Sequence, residues 1–130
     1  MIEQVTVGTS TYNVPQASAV DQKALLLLLG GKIALRSAAS KTEQIDTQLL
    51  VGAMLSTPEP EFDKIAKLVL GRVHLAGSET PVTIADFQGR MVEFVQLVAE
   101  CVRVNLNDFF TWLDVVNAES RGSRPVQTMT

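Results

Sequence analysis

The first residues alternate. Ile2, Gln4 and Thr6 fall on one side of an extended strand, and Glu3, Val5 and Val7 on the other. Gly8-Thr9-Ser10 interrupts the run. Thr11-Tyr12-Asn13-Val14 resumes it and stops at Pro15, which has no N–H to give to a ladder. Two β-prone runs around a short turn containing Gly predict a hairpin over 2–14. A lone hairpin is marginal in water, so this one must pack on helices or extend across a neighbouring subunit.

The period then changes. Ser18 is placed as an N-cap, with Asp21 three positions on as an imperfect capping box. The apolar run Leu25 to Leu29 follows. Gly30-Gly31 predicts a break or bend, because each Gly costs roughly 1 kcal/mol against Ala inside a helix. Lys32 to Leu35 resumes the helix, and Ser37 to Lys41 reads as a loop. A further helix is predicted from about Thr42 to Leu55, with Ile45, Leu49 and Ala53 in one row and Leu50 and Met54 beside it. Thr57-Pro58 then predicts an N-cap followed by Pro at the first helical position. Glu59 and Glu61 sit in that first turn, where the helix dipole favours negative charge. Phe62, Ile65, Val69 and Val73 form the apolar stripe of this helix, with Gly71 and Gly77 as its candidate stops.

Thr83 with Asp86 again resembles a capping box and opens the longest pattern. Glu93, Gln96, Glu100, Arg103, Asn107, Thr111 and Asp114 recur at steps of three and four, a single narrow polar stripe. Such a stripe predicts one helix from about Thr83 to Ala118, with Gly89 a bend near its start. At 1.5 Å per residue it would be ~50 Å long. The rest of its circumference is apolar, more than the roughly 3/7 that one buried face needs. It is either central to the fold or turned toward another protein. Phe94, Val98, Phe109, Phe110, Trp112, Leu113 and Val116 are its candidate protein-binding residues, since aromatic anchors dominate interface energetics. Arg121 to Thr130 has no periodicity and predicts a flexible tail. The fold class is therefore mainly α (α+β). An N-terminal hairpin precedes a bundle of about four to five helices ending in one long helix, in a single domain over 1–120 with a tail at 121–130.

Composition narrows the chemistry. Of the 130 residues 46% are apolar and 19% charged, too apolar for disorder and enough for one core. One Cys forms no internal disulfide, and one His with one Cys makes no zinc site of the His/Cys kind. A net charge of −3 gives no broad attraction for nucleic acid. Met1-Ile2-Glu3-Gln4 lacks the features of a signal peptide, and the apolar run ending at Gly31 is far short of the ~20 residues that span a bilayer. The expectation is a cytoplasmic protein with no cofactor, metal or membrane partner.

No catalytic pattern emerges. Gly30-Gly31-Lys32 fails as a phosphate loop, because Leu26 stands where its first Gly is needed and Ile33 where Ser or Thr is needed. His74 has no nucleophile elbow beside it, and Cys101 lies among Val98, Val102 and Val104 as a buried, inert thiol. Glu59, Glu61 and Asp63 are explained by helix-start electrostatics, and Glu100 with Arg103 reads as a solvated i, i+3 pair.

The hairpin segments Val5-Thr6-Val7-Gly8 and Tyr12-Asn13-Val14-Pro15 lead into a helix reading Ala17-Ser18-Ala19-x-x-Gln22-Lys23-x-Leu25-Leu26-x-Leu28-Leu29. Asp86-Phe87-Gln88-Gly89 and Asn105-Leu106-Asn107-Asp108-Phe109-Phe110 follow. Over residues 3 to 120 this layout resembles the small tail assembly chaperones of long-tailed bacteriophages and prophages. The resemblance implies a non-catalytic protein that binds the tape-measure protein and helps recruit major tail (tube) subunits. It also implies self-association, action in the bacterial cytoplasm and absence from the mature virion. Many such proteins have a longer, frameshifted form, which a tail from Arg121 onward would suit. Other structural or adaptor roles remain open, among them another tail component or a secretion chaperone. A helical DNA-binding regulator would have only Arg90 and Arg103 to offer from the long helix. A small enzyme would have to use His74.

Overall fold

The computed structural model describes residues 2–39 and 47–120. Strands β1 (Ile2–Val7) and β2 (Ser10–Pro15) form the expected antiparallel hairpin, pairing Val5 with Tyr12 and Gln4 with Asn13. Gly8 has φ +61° and no non-Gly residue among the described ones has positive φ, so only the first of the two turn residues is left-handed, as in a type II′ connection. A Cβ at Gly8 would also lie 3.0 Å from the Glu93 carboxylate, so the turn sits directly on the first turn of a helix below it. Val5, Val7, Tyr12 and Val14 face the core. A two-residue strand, β3 (His74–Leu75), pairs with β2 and completes a sheet of order β1-β2-β3. Two residues carry no readable alternation, which is why the sequence pattern does not show β3.

Helix α1 (Ala19–Ala39) begins as expected, with the Asp21 N–H donating to Ser18 Oγ at 3.2 Å. It does not break at Gly30-Gly31, nor end before the expected loop at Ser37. Leu25, Leu29 and Ile33 are fully buried on both sides of the glycine pair. Burying each is worth roughly 1.5–3 kcal/mol, which outweighs the propensity cost of two glycines. Gly30 also has a packing role: a Cβ there would meet Leu26 at 3.1 Å and the Phe109 ring at 3.7 Å, whereas Gly31 faces open space.

Helix α2 (Thr47–Leu55) buries Leu50, Val51, Ala53 and Met54. The part of the expected helix at 42–46 and the tail at 121–130 lie outside the described residues. Thr57 does not cap the next helix. Its hydroxyl donates to the Ala53 carbonyl at 2.7 Å, satisfying an orphan acceptor at the end of α2. Helix α3 (Glu59–Leu70) starts after Pro58 and buries Ile65, Val69 and Leu70. Val73 is fully buried but lies past the end of α3, in the chain leading to β3.

The single helix predicted from Thr83 to Ala118 is divided. Thr83 and Asp86 do interact, the Thr83 N–H donating to Asp86 Oδ2 at 2.9 Å, but they head only a 3₁₀ turn (Ile84–Phe87). Gly89 with φ +82° ends that turn. Helix α4 (Met91–Asn105) follows, and Leu106 with φ −118° and ψ 30° separates it from α5 (Asn107–Ser120). The polar stripe gives no sign of this division because the Leu106 and Phe110 N–H groups still reach carbonyls four residues back. Helix α4 is the centre of the fold. It packs against α2, α3, α5, β1 and the 3₁₀ turn.

Asn105 is the buried polar side chain at the division, 5% exposed. Its Oδ1 accepts from the Ala17 N–H at 2.7 Å and Gln22 Nε2 at 3.3 Å, and its Nδ2 donates to the Cys101 carbonyl at 2.8 Å. The link from β2 to α1 is thereby fixed to the end of α4. Cys101, one turn earlier, is fully buried. Burial pushes its thiol pKa well above the ordinary range; neighbouring Glu100 adds to the rise and Arg103 opposes it.

Three outcomes follow from this packing. Gly31→Ala stabilises the protein by roughly 0.5–1 kcal/mol in urea titrations, with its Cβ in open space, while Gly30→Ala gains less because Leu26 must move. Asn105→Ala costs about 1–3 kcal/mol in the same assay, as it strips the acceptor from the Ala17 N–H. Cys101 stays unmodified by a thiol-specific disulfide reagent at pH 8 in native buffer and reacts fully in denaturant.

Candidate functional site

The groups capable of chemistry are engaged in structure. His74 lies half-buried on β3. Gln4 Nε2 donates to Asn13 Oδ1 at 3.0 Å, which orients the Asn13 amide so that its Nδ2 donates to His74 Nε2 at 3.3 Å. His74 Nδ1 must then donate to the Arg72 carbonyl at 3.1 Å. The three strands are tied across one face by this relay. Among the described residues no three His, Cys, Asp or Glu side chains stand close enough to share a metal ion. No helix among them is long and apolar enough to cross a membrane.

The acidic residues of α3 behave as surface charge. Glu61 pairs with Lys32 of α1 at 3.4 Å, each side chain about two-fifths exposed. Glu100 and Arg103 are more than a solvated pair. Arg103 Nε donates to Glu100 at 2.9 Å and its Nη2 to Glu3 of β1 at 3.2 Å, while Thr47 of α2 donates to Glu100 Oε2 at 2.7 Å. Desolvation opposes the charge of Arg103, but hydrogen bonds and attraction from Glu100, then Glu3, outweigh it and raise its pKa. Three elements that are distant in sequence meet here, and no local spacing signals it.

The candidate binding residues of the C-terminal pattern separate into two sets. Phe94, Val98, Phe110 and Leu113 are inside the core of the chain itself. Phe94 stacks obliquely against Phe62 and Phe87, with ring centroids 6.0 and 5.4 Å away. Phe109 and Val116 are half-buried, and Trp112 is 57% exposed with Val115 beside it on α5. Phe109 holds the two sets together, with its ring 5.5 Å from Phe110 and 6.0 Å from Trp112.

A second apolar surface lies on α1, where Leu27 is 77% exposed and Val20 and Leu35 nearly as open. The sequence does contain its signal. Five consecutive leucines at about 100° per residue encircle a helix, so Leu25 to Leu29 cannot all turn inward. Leu25 and Leu29 are buried, Leu26 and Leu28 border α1's neighbours, and Leu27 is left outside. Between α1 and α3 runs a groove of about 660 Å³, lined by Ala24, Leu27, Leu28 and Leu68 together with Asp21, Lys64 and Lys67.

Apolar surface is thus left over on α1 and α5 after the core is complete. The chain has no significant match among curated proteins or among solved structures. A family model described as phage tail assembly chaperone protein, TAC, matches residues 10–117, from β2 to the last turns of α5. With that match over most of its length, this hairpin-and-bundle chain belongs to the phage tail assembly chaperone family.

Proposed function

We propose that the chain is a non-catalytic chaperone that binds the tape-measure protein and helps recruit tail-tube subunits during assembly of a phage tail. Family membership supports the chaperone role. The observation that carries the finer reading is the apolar surface on α1 and α5, set on a body with net charge −3. A long apolar helical client needs such surface to stay dissolved, and the charged body keeps the complex in solution. The outward side of α5, with Phe109, Trp112 and Val116, serves as a contact for a further protein copy or tail component. The protein acts in the host cytoplasm and leaves before the virion is complete.

Co-expression tests this reading. A tape-measure fragment that is insoluble alone is expected in the soluble fraction, co-purifying with this chain, and the free chain is expected to form concentration-dependent oligomers in sedimentation velocity. Trp112→Ser shifts those oligomers toward monomer with unchanged far-UV circular dichroism. A clean monomer at high concentration that leaves the fragment insoluble overturns the reading.

A further inference from the structure

We propose that the groove between α1 and α3 is the docking site for one amphipathic helix of the client, whose apolar stripe enters the groove and whose carboxylates lie along α3. This rests on the chaperone reading and adds to it where the client sits and what its segment must look like.

The shape comes from α1. Val20, Ala24, Leu27, Gly31 and Leu35 are all exposed, at steps of four, three, four and four. That is the spacing of a helix–helix seam. Ala24 and Gly31 are small, so a second backbone can come close at those points. Ala24 and Leu27 of this row line the groove itself, and from Val20 to Leu35 the row extends about 22 Å, room for roughly four turns of a docked helix. Leu28 and Leu68 form the inner wall, and Leu27 stands at the lip. Laying an apolar helix face into such a groove is a standard mode of peptide recognition.

The charge comes from α3. Lys64 and Lys67 are exposed on the groove's edge, one turn apart. Beyond them the groove continues into a smaller hollow of about 280 Å³, which shares Asp21, Lys67 and Leu68 and ends at Arg72. Three cations thus follow the α3 edge of a protein whose net charge is negative, against Asp21 in the lining, while Glu61 at the far end of the α1–α3 boundary is already paired with Lys32. A helix carrying Asp or Glu beside its apolar stripe matches this edge and is oriented by it. A second copy related by a two-fold axis does not match. It would set groove against groove and lysine pair against lysine pair.

The test uses the full chain and fluorescent overlapping peptides covering the tape-measure protein of the same phage, read by anisotropy. At least one helix-forming peptide with carboxylates beside its apolar stripe binds, and more weakly as salt rises. Lys64→Glu with Lys67→Glu weakens that binding at least tenfold, as does Leu27→Asp. Trp112→Ser leaves it unchanged. All these side chains are exposed, so circular dichroism and the melting temperature stay at wild-type values. A peptide with its carboxylates changed to Lys regains affinity for the Lys64→Glu/Lys67→Glu variant. If the wild-type chain binds peptides and the groove variants bind them equally well, the groove assignment falls while the chaperone reading stands. If the groove variants instead abolish self-association at unchanged peptide affinity, a second copy occupies the groove and the proposal is overturned. If the wild-type chain binds neither peptides nor whole tape-measure protein, the chaperone reading falls and the groove assignment with it.

Discussion

Past its first turn, where Met91 and Val92 are exposed, helix α4 is wet along one line only, and the other elements are arranged by the need to cover the rest of it. Phe94, Leu97, Val98, Ala99, Cys101, Val102 and Val104 are all turned away from water. One neighbouring helix would shelter one side. Covering several takes α2, α3, α5, the hairpin and the 3₁₀ turn together. The polar line itself, Glu100 and Arg103, is bonded to β1 and α2, so even the wet side helps fix where its neighbours stand. The buried apolar area supplies the driving force, and the few polar contacts select the arrangement.

The legible part of this fold is what is local and periodic. The hairpin could be read from its alternation and its Gly turn, α1 from Ser18 and its leucines, and α3 from its first-turn acids and its apolar stripe. The illegible part is long-range. Nothing near Gly30 in sequence shows that the Phe109 ring lies against it, so a packing glycine looks like a helix breaker. Thr57 followed by Pro58 has the form of a cap for the next helix, yet its hydroxyl turns back to the preceding one. The division at Leu106 is hidden because the stripe continues from Arg103 to Asn107 across it, while the Asn105 side chain, off that stripe, bonds a segment 88 residues earlier.

The surface was legible in the same partial way. A helix apolar nearly all round could be a core element or a partner-facing one, and the pattern alone does not separate its stretches. The α4 half is consumed by the chain's own core. The α5 half keeps Trp112 in water. The leucine run of α1 carried the better clue, since an uninterrupted run of one residue type on a helix must be exposed somewhere. Acid and base stand around these patches, Asp21 with Lys64 and Lys67, Lys32 with Glu61.

The hairpin is pinned to α4 near both ends: Gly8 lies against Glu93, and Glu3 is bonded to Arg103. Partners 100 residues apart make this a fold of late closure, since the first strand to leave the ribosome has no seat until nearly the last helix has been made. During that interval the nascent chain exposes the apolar sides of both. A member of a chaperone family thus passes through its own synthesis with apolar surface in need of shelter.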